Sequence, residues 1–160
     1  MKKPDSLRDM LVSSCPDLRI NPERLIMFID DGRLVSTAAQ GLSFEYAYTL
    51  HIVLTDFAND PDLIMVPLLA WVAVNQVELL DNDKLRETGI TFEADLLDNA
   101  KVDLGIKLKL TERVVVRVKD GGVLAMEHAD EPQVEARLAS GRWELYLRDE
   151  LVATWEVAAA

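Results

Sequence analysis

Lysine and arginine are missing from one long stretch of this sequence, since neither occurs between Leu34 and Asp83. Cysteine is nearly absent as well. The single Cys15 excludes a disulfide bond within the chain but leaves a bond between two chains open. The two histidines, His51 and His128, lie far apart, so with one thiol they form no metal-binding signature. A glycine-rich phosphate-binding loop is also missing, and we therefore expect no cofactor.

The balance of charge over the 160 residues is acidic, with a formal net charge of −11. A protein of this charge would repel the phosphates of DNA or RNA rather than wrap them. With 49% hydrophobic and 28% charged residues, the composition is that of an ordinary globular domain and not of a disordered segment. The N-terminal segment lacks the continuous apolar run of a secretory signal, so we expect a cytoplasmic protein.

The charges are segregated along the chain. The stretch from Leu34 to Asp83 is acidic, whereas basic residues dominate between Lys101 and Lys119. Two interpretations stay open: the segments pair within one chain or form solvated faces, or they are complementary patches that meet between copies in a head-to-tail ring. For the second interpretation, the charged residues expected to contact another subunit or partner are Glu45, Asp56, Lys107, Lys109, Arg113 and Arg117.

The segment from Asn59 to Leu80 predicts an internal helix, because it carries no charge between its acidic ends and has no polar face for most of its length. Asn59 or Asp60 can cap the helix, and Pro61 suits its first position. Pro67 is expected to kink the helix or restart it. A membrane span is the disfavoured alternative, because the apolar run is too short and is flanked by acids.

Period-two patterns and turn residues predict strands around this helix. The expected fold is α+β, with a largely antiparallel sheet packed against the central helix, in a single domain over 1–160. The predicted elements are a helix capped by Asp5 or Ser6, running to Ser14 and stopped by Pro16; a hairpin from Leu25 to Ala38 that turns at Asp31-Gly32; a strand from Ser43 to Thr55; strands over 91–96 and 102–110; a hairpin over 114–126 that turns at Asp120-Gly121-Gly122; one or two helical turns over 133–138; and a terminal hairpin over 141–157.

Two tryptophans, Trp143 and Trp155, lie in the predicted terminal hairpin and must pack on something. Their expected destination is the core of the same subunit, with a neighbouring subunit as the alternative.

Acid–base chemistry has one candidate pair, Glu93 and Asp95, which lie two residues apart on one face of a strand. Paired carboxylates could do proton chemistry in a small enzyme or a ligand-binding domain, but such a pair is more often the solvated side of an amphipathic strand. The residues alone therefore favour a non-enzymatic α+β domain.

Several runs of this sequence resemble the tail completion protein R family of contractile-tailed temperate phages and prophages. They are MKKPDSLRDML, NPERLIMFIDDGRLV, LSFEYAYTLHIVLTDF, MVPLLAWV, ITFEADLLDN and IKLKLTERVVVR, and they extend to about Pro132.

The resemblance implies a structural virion protein without catalytic residues. It implies completion of the tail at its head-proximal end, so that the tail can join the head. It also implies a terminator-like homo-oligomeric ring, with six copies favoured, around a channel through which DNA passes without being bound. The implied partners are the tail tube and other tail or neck proteins, and an adaptor elsewhere in the tail or baseplate is a further possibility.

Overall fold

The computed structural model describes residues 1–36, 41–97, 101–131 and 139–157, and within them the chain forms five α-helices and seven strands. The helices are α1 (Lys3–Ser14), α2 (Pro16–Ile20), α3 (Asp62–Asn75), α4 (Glu78–Asp81) and α5 (Asp83–Thr88). The strands are β1 (Leu25–Ser36), β2 (Phe44–Phe57), β3 (Ile90–Leu97), β4 (Lys101–Lys119), β5 (Val123–His128), β6 (Gly141–Leu147) and β7 (Glu150–Val157).

The main sheet has the strand order β1-β2-β4-β3, and β5 pairs with the C-terminal part of β4. The strands β6 and β7 form a separate two-stranded sheet. All of these pairings are antiparallel. The predicted α+β class, with a largely antiparallel sheet against the central helix, is therefore confirmed.

The two central strands of the main sheet, β2 and β4, carry the core residues on one face, here called the inner face. Their alternating residues point toward α1 and α3, which cover the middle of the sheet. The opposite face, called the outer face, holds the charged residues of β4 except Glu112. The fully buried core residues with the largest side chains are Phe57, Leu7, Leu11, Leu18, Leu50, Ile52, Leu54, Ile64, Leu68, Leu104, Ile106 and Leu108.

The central helix α3 begins at Asp62, one residue after the predicted first position Pro61, and the Asp60 carboxylate accepts a hydrogen bond of 3.0 Å from the Asp62 N–H. It continues through Pro67, so a restart there is excluded. The predicted extent to Leu80 is wrong, because the backbone leaves the helical conformation at Gln76. None of the helices in the described ranges is long and apolar enough to cross a bilayer.

Gln76 ends the helix by bonding to the sheet. Its side-chain amide donates to Thr111 Oγ1 at 3.1 Å, and its Oε1 accepts from the Thr111 N–H at 3.1 Å. Gln76 is buried, so its side-chain amide needs these hydrogen bonds to the distant strand. A longer α3 would move the amide away from them.

The N-terminal helix differs from the prediction at its start. It begins at Lys3, with Pro4 in its first turn, and no side chain caps it, so the predicted caps Asp5 and Ser6 are wrong. The Ser6 hydroxyl instead accepts a hydrogen bond of 3.0 Å from Trp71 Nε1. Pro16 ends the helix as predicted and also begins α2.

The hairpin predicted at Asp31-Gly32 is also wrong. β1 runs through this point as one edge strand, and its register against β2 shifts between Asp30 and Arg33. The positive φ of Asp31, 51°, serves a bulge in this strand and not a two-residue turn. The predicted end of the hairpin at Ala38 lies outside the described residues.

The other predicted strands are present, but the segments 102–110 and 114–118, predicted as separate strands, form the single strand β4. β2 covers the predicted strand from Ser43 to Thr55 almost entirely, β3 pairs with β4 as expected, and β4 turns into β5 at Asp120–Gly122. Strands β6 and β7 form a hairpin over 141–157. The helical turns predicted over 133–138 fall in a part of the chain that is not described.

Gly89, between α5 and β3, is buried where no side chain fits. A Cβ there would lie 2.5 Å from Leu79 Cδ2 and 2.6 Å from the Leu85 carbonyl oxygen. We expect Gly89→Ala to lower the free energy of unfolding by about 1–3 kcal/mol, measured by urea denaturation. Gly105→Ala is the matched control, because its Cβ would be 4.0 Å from its nearest neighbour. Equal stability of the two variants would contradict the predicted clash.

Candidate functional site

The charged residues predicted to make contacts gather along β4 and β2. Glu45 on β2 lies directly opposite Arg113 on β4. Near the other end of the same strand pair, Lys101 Nζ lies 3.2 Å from Asp56 Oδ1. Acidic and basic residues that are distant in sequence are therefore brought together within one chain.

Three further cations follow the outer face of β4. Lys107 Nζ lies 3.4 Å from Glu93 Oε1 on β3, and Arg117 lies 3.3 Å from Glu127 on β5. Lys109 is exposed between them. Ion pairs of this exposed kind contribute about 0–1 kcal/mol, so they leave the charges free to pair with another molecule. Pairing within the chain is thus present, and a role in subunit contacts stays a prediction.

The two tryptophans of the terminal hairpin lie opposite each other on β6 and β7. Trp155 is buried against Ala70 of α3, together with Ala153 of its own strand. Trp143 is half-buried at the edge of the same cluster and donates to the Ala139 carbonyl at 2.9 Å. The structure therefore uses Trp155 within its own chain and leaves Trp143 as the more accessible of the two.

Large apolar side chains near the two ends of β4 are in contact with solvent. At one end, Phe92 and Leu96 of β3 are 64% and 89% exposed. At the other end, Val118 and Met126 of the β4–β5 hairpin are 73% and 82% exposed. These two places are therefore candidate surfaces for a contact with another molecule.

A buried polar cluster, missed from the sequence, joins the N-terminus to the sheet. Its centre is Glu112, which points to the inner face and is almost fully buried. Its carboxylate accepts from the Tyr48 hydroxyl at 2.5 Å and from the Lys2 backbone N–H at 2.8 Å. His128 Nδ1 lies 3.1 Å from the same carboxylate. These contacts bring the residue before α1 and the strands β2, β4 and β5 together at one point.

Tyr48 is affected most by this cluster. Its burial, its hydrogen bond to Glu112 and the negative charge of Glu112 together raise the pKa of the Tyr48 hydroxyl above its ordinary value. A raised pKa means that the folded protein holds the phenolic proton more tightly than the unfolded chain does.

We expect the protein to become less stable at alkaline pH, because unfolding then releases this proton from Tyr48. The contribution of Tyr48 is complete below the unfolded pKa of about 10 and falls by about 1.4 kcal/mol per pH unit above it. Urea unfolding of the wild type and of Tyr48→Phe at pH 8 and at pH 11 measures this contribution. The stability gap between the two should narrow at pH 11, and a constant gap would contradict the prediction.

Glu93 and Asp95, the candidate acid–base pair, lie on the exposed strand β3. A cleft of about 360 Å³ lies elsewhere, between the start of α4 and the sheet. It is lined by Glu45, Val77, Glu78, Asp81, Thr111, Arg113, Ala129, Asp130 and Glu131. No group of three or more His, Cys, Asp or Glu residues suited to a metal occurs in the described ranges. Both carboxylates are exposed, so among the residues that the structure describes the pair is the solvated side of a strand.

The domain exposes a charged sheet face and leaves apolar side chains uncovered near both ends of β4, and comparison with known proteins identifies its class. The chain belongs to the P2 phage tail completion protein R (GpR) family, whose model matches residues 1–132. It is 40% identical over 156 residues to Tail completion protein R of Escherichia phage P2, covering 98% of this chain and 99% of that protein. No solved structure matches the chain.

Membership of this family makes the chain a structural phage tail protein of the tail completion class and not an enzyme. The family model ends just before the terminal hairpin, but the alignment with the phage P2 protein leaves only a small part of the chain uncovered. The hairpin of β6 and β7 therefore lies largely within the region shared with that relative.

Proposed function

We propose that this protein completes the head-proximal end of a contractile phage tail, as a ring of six copies around the DNA channel, so that the tail can join the head. The observation that carries the proposal is the family match over residues 1–132. In this proposal 1–160 acts as one domain in the virion tail, after assembly in the host cytoplasm, and its partners are the tail tube and other tail or neck proteins.

The arrangement of exposed surfaces supports a ring. A two-fold dimer uses the same patch on both subunits, whereas a ring uses two different patches on each copy. Here the exposed apolar residues of β3 and of the β4–β5 hairpin lie toward opposite ends of the longest strand. Two separate surfaces of this kind suit a head-to-tail contact.

The net charge supports a position around a DNA channel. With a formal charge of −11, the protein repels phosphates, so a duplex can pass without being gripped. The basic residues of β4 are the exception, and in the proposed ring they face acidic residues of a neighbour.

Light scattering of the purified protein at low and at high salt tests the ring. We expect a species near six times 17.9 kDa that dissociates as salt is raised, because exposed charges contribute to the contact. If the protein is a monomer at every salt, electron microscopy of purified tail tubes mixed with it decides. A ring on the tube end supports assembly templated by the tail, and unoccupied ends overturn the proposal.

A charge-reversal variant tests the charged contact separately from the ring. Lys107→Glu combined with Lys109→Glu should abolish the ring if these residues face Glu45 or Asp56 of a neighbour. Lys84→Glu combined with Arg86→Glu changes the net charge equally on the exposed helix α5 and is the matched control. An unchanged oligomer in the first variant would exclude this contact while leaving the ring itself in place.

An adaptor role elsewhere in the tail or baseplate is the second candidate. It draws on the terminal hairpin, which packs on α1 and α3 and presents Tyr146 and Leu151 to solvent. Labelled protein found along the tail or at its distal end, and not at the head-proximal end, would favour this alternative.

A further inference from the structure

Strand β3 is an open edge of the main sheet. Every residue over 91–97 is exposed, and within the described ranges β3 pairs only with β4. The Lys109 N–H donates to the Gly89 carbonyl at 2.9 Å, so odd-numbered residues of this part of β4 direct their backbone groups toward β3. The backbone groups left on the open edge of β3 are therefore those of Phe92, Ala94 and Leu96.

The side chains of β3 specify what kind of strand could add to this edge. The inner face presents exposed Phe92 and Leu96, and the outer face presents Glu93 and Asp95. Asp95 lies directly opposite Asp103 of β4, and like charges placed in this way repel. A fitting strand is thus apolar on its inner face and basic on its outer face.

The tip of the β4–β5 hairpin has this pattern. The hairpin over 115–128 is here called the arm. At the end of β4, Arg117 and Lys119 lie on the outer face, two residues apart, and the exposed Val118 lies between them on the inner face. The spacing of the two cations matches that of Glu93 and Asp95.

Within the described ranges, the arm also has a backbone edge at this point with which no strand pairs. The Ala129 N–H donates to the Arg113 carbonyl at 2.9 Å, which places odd-numbered residues of β4 toward β5. The Val116 N–H points the other way, to Ser43 Oγ at 2.9 Å. Val118 follows the direction of Val116, beyond the last residue of β4 that pairs with β2.

We propose that the arm tip of one copy adds to the edge of β3 in the next copy, antiparallel, with Val118 opposite Ala94. Arg117 then faces Asp95, Lys119 faces Glu93, and the two exposed apolar inner faces become continuous. One chain cannot make this contact with itself, because Lys119 is about 50 Å along β4 from the residue that pairs with Asp95. The contact rests on the proposed ring and names its subunit interface.

Thiol cross-linking between two differently tagged variants tests the contact. Ala94→Cys mixed with Val118→Cys and treated with a short bis-maleimide should give a dimer that contains both tags. Wild-type protein is the first control, because Cys15 is fully buried. Leu69→Cys, an exposed residue of α3, replaces Val118→Cys in the second control and should give no product above the wild type.

Charge reversal separates this contact from random collision. Arg117→Glu with Lys119→Glu, added to the Val118→Cys chain, should lower the yield of mixed dimer at least about tenfold. Adding Glu93→Lys with Asp95→Lys to the Ala94→Cys chain should restore it. Three results would each overturn the contact. They are a yield of mixed dimer that stays at the control level, products that form mainly between two Val118→Cys chains, and a yield that the second pair of substitutions does not restore. A ring seen by light scattering without this product would leave the proposed function standing and exclude only this interface.

Discussion

Replacing Glu112 by alanine is expected to lower the free energy of unfolding by about 3–5 kcal/mol, because its carboxylate is the shared acceptor of a buried cluster. The Tyr48 hydroxyl and the Lys2 N–H would both lose their hydrogen-bond acceptor. A buried donor left without a partner costs about 1–3 kcal/mol. Urea denaturation followed by circular dichroism measures the difference from the wild type.

Glu127→Ala is the matched control for this prediction. Glu127 lies on the neighbouring strand β5, where it pairs with Arg117 and is exposed on the outer face. Removing one partner of such a pair should cost no more than about 1 kcal/mol. A loss in Glu112→Ala no larger than this would mean that water or local rearrangement satisfies the cluster.

Much of the fold is predictable from local sequence. The strands β2 and β4 were predicted because alternation of apolar and polar residues is imposed by the geometry of a half-buried strand. The same pattern also contains the one cluster that was missed. Continued past Leu110, the alternation of β4 puts Glu112 on the inner face, and a carboxylate at a core position must be hydrogen-bonded.

The predictions that failed depended on distant parts of the chain. Asp31-Gly32 is compatible with a turn or a bulge. The bulge forms because β1 pairs with β2 on both sides of this dipeptide. The end of α3 is set by Gln76, whose amide bonds to Thr111 across 35 residues. Neither the bulge nor the end of the helix is encoded in the neighbouring residues, so hydrophobic periodicity and turn residues alone could not predict them.

The candidate contact residues also divide into those that the sequence indicates and those that only the structure identifies. Charge segregation along the chain was visible in the sequence, but the structure adds that Glu45 lies opposite Arg113 and that Lys107 lies near Glu93. The apolar residues at the two ends of β4 gave no such signal. Phe92 and Val118 sit in ordinary strand patterns, and only the positions of α1 and α3 show that these side chains are left uncovered.

Leu68→Ala is expected to destabilise the protein by about 2.7–5 kcal/mol, since it removes a side chain from the middle of the core. Leu68 is fully buried on α3, where it belongs to the main core cluster. The cost has two parts: the apolar surface is no longer buried, and the neighbouring side chains cannot fill the cavity completely. Thermal unfolding should show a midpoint lower by roughly 5–20 °C.

The adjacent residue provides a control in the same helix. Leu69 points to solvent and is 45% exposed, so Leu69→Ala makes the same chemical change with the same helix propensity. It should alter the free energy of unfolding by no more than about 0.5 kcal/mol. The difference between the two variants measures the burial of α3 alone. If both variants lost the same stability, α3 would be held by something other than the inner face of the sheet. If Leu69→Ala instead weakened the oligomer, this side of α3 would itself belong to a subunit contact.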